Sequence, residues 1–161
     1  AEIAQFVDGP GYPAIAPRTA ATRFVAIDRA RSDWLAGKID LATLDTRAWS
    51  TQEWMRWIEN LPDDVDVKQL ATLDQQFKFT GTGNSEIAFA WYVQAIAHDY
   101  PAAFPAMADF LKRIGRRKFV VPLYTALMAK PAFQAFARET YAQARPGYHP
   151  ITQASVDAVV K

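Results

Sequence analysis

The stretch STQEWMRWIENLP, residues 50–62, decides the fold. Ser50 is a strong helix N-cap and Glu53 stands three residues on, so each side chain can satisfy the other's free backbone N–H. Trp54, Trp57, Ile58 and Leu61 then fall on one helical stripe, and Pro62 stops the run. This is an amphipathic helix with a defined start, a buried face and a defined end.

The same grammar extends in both directions. Upstream, Phe24, Ile27, Trp34 and Leu35 trace one face with Arg31 at its edge, and Gly37 can end that helix. Downstream, Asp66 with Gln69 repeats the start signal for a helix through Leu70, Leu73 and Phe77. The turn GTGN, residues 81–84, leads to a fourth helix capped by Asn84 or Ser85, with Glu86 in its first turn. A fifth is expected from near Pro101 through Met107, Phe110 and Leu111 to Gly115. Pro122 opens or interrupts a sixth, Pro131 begins a seventh, and residues 150–160 form the last. No run of useful length alternates with period two between hairpin turns. The expectation is an all-α chain of about eight helices in antiparallel pairs, stacked as a bundle or a solenoid.

Ahead of this lies FVDGPGYPAIAP, residues 6–17, where Pro10, Pro13 and Pro17 remove donors that a helix needs. Residues 1–17 are expected to be an extended leader or interdomain linker, and residues 18–161 the helical domain. At 161 residues, 50% hydrophobic and 13% aromatic, the chain suits one domain with a large core. With 18 Lys+Arg against 17 Asp+Glu, general affinity for nucleic acid is not expected. The absence of cysteine excludes disulfides and thiolate metal sites. No apolar stretch is long enough to span a bilayer, and no basic region followed by an apolar core marks a signal peptide. The compartment is left open, with the cytoplasm favoured. Without an initiator Met, the chain reads as a processed product or an excised piece of something longer.

The usual catalytic patterns are missing. A helical zinc-peptidase motif needs two histidines one turn apart, whereas His98 and His149 are isolated and read as capping or surface imidazoles. Ser32, Ser50, Ser85 and Ser155 stand in no nucleophile elbow. There is no phosphate loop, and Asp63, Asp64 and Asp66 lack calcium-loop spacing. No catalytic, cofactor-binding or metal-ligating residue is assigned in this chain. Trp54 and Trp57 are read as core.

One cluster is left, in RIGRRKFVVPLY, residues 113–124. Lys112 and Arg113 suit the last turn of a helix that Gly115, as a left-handed residue, can end. Arg116, Arg117 and Lys118 lie beyond that stop, near the start of the next helix, where cations are unfavourable by about 0.3–1 kcal/mol each. They are either tolerated on a wet surface or held there for an anion, because free N–H groups beside an Arg and a Lys make a carboxylate or phosphate site.

FKFTGTGNSEIAFAWYVQAI (77–96), GRRKFVVPLY (115–124) and YHPIT (148–152) resemble the C-terminal domain of leukotriene A4 hydrolase and its bacterial aminopeptidase relatives. The resemblance is clearest from Leu73 to Val160, and GYPAIAP looks like that family's interdomain junction. It implies an α–α superhelix of two helical layers, the solenoid alternative. It implies a non-catalytic domain whose parent is a zinc metallopeptidase of the gluzincin type, with the zinc and the general base in a preceding catalytic domain. It implies that Arg116 and Lys118 point into the active-site cleft and bind the free carboxylate of short peptides, while Arg117 faces solvent. The partners are then the parent's own catalytic and N-terminal domains. The competing expectations are a free-standing helical scaffold for protein binding and, from Lys112 to Lys118, a nucleic-acid contact that would weaken steeply with salt.

Overall fold

The computed structural model describes residues 22–161, so the leader expected over residues 1–17 lies outside the described residues. Among the described residues there are eight α-helices and no strand: α1 (Thr22–Leu35), α2 (Thr51–Glu59), α3 (Val67–Phe77), α4 (Ser85–Ala97), α5 (Phe104–Arg113), α6 (Arg117–Ala129), α7 (Gln134–Ala144) and α8 (Pro150–Asp157). Helices α2, α4, α6 and α8 pack side by side as one layer, with α1 flanking α2. Helices α5 and α7 pack on each other in the second layer. The short turn Phe79–Gly81 touches α3, α4 and α5 and ties α3 to the stack. This is the two-layered α–α superhelix.

The helix starts follow the expected chemistry. Ser50 Oγ accepts from the Glu53 N–H, and the Glu53 carboxylate accepts from the Ser50 N–H at 2.7 Å and its hydroxyl at 2.8 Å. These bonds hold the Glu53 carboxyl below the usual carboxylate range. Asp66 and Gln69 make the second reciprocal cap. Gly37, at φ 69°, ends α1 in the left-handed region. Lys78 and Asp99 adopt the same region without being glycine (φ 56° and 55°) and were not visible as helix stops.

Three expectations change. Gly115 is not left-handed. α5 ends at Arg113, and Ile114 leaves it extended (φ −104°, ψ 105°), so the bend needs no positive φ. Pro122 neither opens nor breaks α6, which begins at Arg117 and runs through it. The proline is on the exposed side, and the helix is held by the burial of Phe119, Val120, Leu123, Tyr124 and Leu127 on the other. Each such side chain contributes about 1.5–3 kcal/mol. Pro101 and Pro131 each begin a 3-10 turn, and α5 and α7 start three residues later.

The core is continuous along the stack and includes Trp57, Leu70, Leu73, Trp91, Ile96, Met107, Leu111, Leu123 and Leu127, all essentially inaccessible. Trp49 packs on Trp54 and Trp57 with ring centroids 4.7 and 5.5 Å apart, so the tryptophan stripe is core. Arg31 is buried rather than at an edge. Asp28 accepts from Arg31 Nη2 at 2.9 Å and from Arg56 Nη2 at 2.6 Å, clamping α1 to α2. No helix among the described residues is long and apolar enough to cross a membrane.

Candidate functional site

The bend between α5 and α6 opens on a cleft of about 610 Å³. One wall is the start of α4, from Asn84 to Glu86. The other runs from Arg113 through Ile114, Gly115 and Arg116 to Phe119. Two helix N-termini therefore meet at this cleft. Asn84 caps α4: its Oδ1 accepts from the N–H groups of Glu86 (3.0 Å) and Ile87 (3.4 Å). Its Nδ2 donates to Thr51 Oγ1 at 3.0 Å, which fixes α4 against the start of α2. Arg116 is the N-cap residue of α6, but its side chain makes no cap, so the first-turn N–H groups of α6 have no side-chain acceptor.

The wall behind α4 is set by a network that periodicity did not reveal. Asp74 Oδ1 accepts from the Thr80 N–H at 2.8 Å, and its Oδ2 accepts from Thr80 Oγ1 at 2.6 Å and Tyr100 Oη at 3.2 Å. Thr80 in turn accepts from Trp91 Nε1 on its hydroxyl (2.9 Å) and from Tyr92 Oη on its carbonyl (3.1 Å). The end of α3, the following turn and the middle of α4 are thereby locked together. The bend itself is braced by the YHPIT segment. The buried Tyr148 hydroxyl donates to the Leu111 carbonyl at 2.6 Å, and Thr152 Oγ1 donates to the Gly115 carbonyl at 3.2 Å. Burial pushes the Tyr148 phenol above its usual range, so it stays a donor.

The predicted cations are placed unequally. Arg116 lines the cleft. Lys118 is not among the lining residues and reaches the cleft only through Glu86, with which it is ion-paired across the α4–α6 contact. Both cations flank the buried ring of Phe119, with Lys118 Nζ 4.8 Å and Arg116 Cζ 5.7 Å from its centroid. Phe119 is itself wedged against Phe89, 5.4 Å away. Each cation–π contact is worth about 0.5–1 kcal/mol at an exposed site, enough to bias two long side chains toward the ring. Arg117 is exposed and does not line the cleft. Arg113 does line it, which the sequence did not indicate, because a cation in a last helical turn is already accounted for by the dipole.

Among the described residues, no group of three or more His, Cys, Asp or Glu side chains is arranged to hold an ion. His149 accepts the Ile151 N–H on Nδ1 and caps α8, and His98 Nε2 contacts Gln94 Oε1 at 3.2 Å.

The family described as leukotriene A4 hydrolase, C-terminal, matches residues 49–160, a span that includes the whole cleft. The chain belongs to that family. The chain is 26% identical over 127 residues to leucine aminopeptidase 2 of Pyricularia oryzae, covering 77% of this chain and 20% of that protein. It is 23% identical over 159 residues to human aminopeptidase B, covering 92% of this chain and 24% of the relative. The chain thus spans between a fifth and a quarter of the length of these curated relatives. The solved structure of native leukotriene A4 hydrolase from Saccharomyces cerevisiae superposes with a TM-score of 0.77 at 20% identity, over 99% of this chain and 29% of that one. At that identity the likeness speaks for the fold, and it agrees with the two-layered helical stack.

Proposed function

We propose that this chain is the C-terminal helical domain of a larger zinc-dependent aminopeptidase, and that it supplies the wall of the substrate cleft that grips the free carboxylate of short peptides. Residues 18–161 form that domain, and residues 1–17 its link to the catalytic part. The observation that carries the reading is Arg116. Its guanidinium lines a cleft between two helix N-termini and has no carboxylate partner among the described residues. A guanidinium fork can take a carboxylate bidentately. Lys118 contributes a point charge beside the cleft, held in place by Glu86 and the face of Phe119.

Holding the tail of a peptide fixes how far its N-terminal residue reaches, so the clamp orients substrate toward catalytic groups carried elsewhere in the parent. Zinc, the general base and the N-terminal and catalytic domains are assigned to the parent, not to this chain. The test is a pair of substrates in the full-length enzyme. Arg116→Ala should lower kcat/KM for tripeptides by about 10- to 100-fold, the loss of one charge-assisted pair worth about 1.5–3 kcal/mol. It should leave aminoacyl amides, which have no free carboxylate, within about twofold. Equal losses on both substrates would refute the clamp.

A further inference from the structure

The cleft holds more positive charge than one carboxylate needs. Arg113, Arg116 and Lys118 stand against Glu86, and Glu86 is already committed to Lys118. Asp109, one turn before Arg113 on α5, places its carboxylate on Lys112 at 2.9 Å. Among the described residues, Arg113 and Arg116 have no ion-pair partner, and both line the same space. They reach it from opposite sides of the bend, Arg113 from the last turn of α5 and Arg116 from the N-cap of α6. Dipole compensation explains a cation in the last turn of α5. It does not explain one lining the cleft, and Lys112 already supplies a cation to that turn.

We propose that Arg113 is a second anion-binding arm of this cleft, and that the cleft selects peptides whose last residue is Asp or Glu. The proposal rests on the carboxylate-binding reading of Arg116. One carboxylate on Arg116 leaves the Arg113 guanidinium without an ion pair, with only the more distant charge of Asp109 on its own helix. A C-terminal Asp or Glu brings a second carboxylate a few bonds from the first, on the same residue, and both guanidiniums are then neutralised. Neutral C-terminal residues leave the second arm solvated, so the preference is a difference between charged and isosteric uncharged tails.

The experiment is a titration of the 161-residue chain, followed through the side-chain Nε resonances of Arg113 and Arg116, with Ala-Ala-Glu, Ala-Ala-Gln and Ala-Ala-Gln amide. The Glu peptide is expected to bind about three- to fivefold more tightly than the Gln peptide, the worth of one exposed ion pair. Arg113→Gln should bring that ratio to one while leaving the ratio of Gln acid to Gln amide unchanged. Arg113→Lys should retain part of the preference. A Glu-to-Gln ratio of one in the wild type, or one that Arg113→Gln does not move, overturns the second arm and leaves the clamp standing. An acid-to-amide ratio of one overturns the clamp itself, and no binding of any peptide overturns both.

Discussion

Replacing Thr80 by Val tests whether the polar network behind α4 sets the cleft wall. The change keeps the side-chain shape and removes one hydroxyl. That hydroxyl donates to Asp74 at 2.6 Å and accepts from Trp91 Nε1 at 2.9 Å, and Trp91 is fully buried. Stranding the indole N–H costs about 1–3 kcal/mol, and the lost bond to a charged acceptor about 1.5–3 kcal/mol. Asp74 keeps the Thr80 N–H and the Tyr100 hydroxyl, so the sum is discounted to about 2–4 kcal/mol. For a domain of this size that is a fall in Tm of about 5–15 °C. The assay is thermal and urea unfolding followed by circular dichroism, with exchange of the Trp91 indole proton as a local readout. Thr80→Ser, which keeps the hydroxyl, should cost less than about 1 kcal/mol. If Val and Ser are equally destabilising, or Val costs less than about 0.5 kcal/mol, the hydroxyl is not the hub.

Two further outcomes follow from single side chains. Arg145 Nε and Nη2 and the Tyr141 hydroxyl all donate to Asp157, and these bonds, Arg145 first, hold its carboxyl at about 2. An unfolded aspartate titrates near about 3.9. The contribution is therefore complete above about pH 4 and is lost as pH falls through 2, so Asp157→Asn should flatten the Tm–pH curve between those limits; an unchanged slope would discount the pair. Arg117→Ala should leave tripeptide kcat/KM within about twofold, because that side chain is exposed and off the cleft; a loss like that of Arg116→Ala would place the clamp on Arg117 instead.

The helices were legible because their signals are local. The Ser50–Glu53 and Asp66–Gln69 caps act over three residues, and Gly37 needs no partner to end α1. What lay hidden depends on contacts distant in the chain. Gly115 had the look of a left-handed stop, yet its bend is braced by Tyr148 and Thr152, more than thirty residues later. Lys118 had the look of a free cation, but Glu86, 32 residues earlier, takes it. Arg113 has a sufficient local reason in its own helix dipole, and nothing local says that the chain turns back and brings it to the same cleft as Arg116. Lys78 and Asp99 end their helices with positive φ, a conformation composition assigns to glycine first.

The clamp comes down to one guanidinium and one carboxylate. A crystal structure of the full-length enzyme with a bound, uncleaved tripeptide analogue would measure the distance between them. The clamp predicts the peptide's C-terminal carboxylate about 2.7–2.9 Å from the Arg116 guanidinium nitrogens, with Lys118 beside it. A carboxylate held by other residues, with Arg116 left in bulk water, would contradict it.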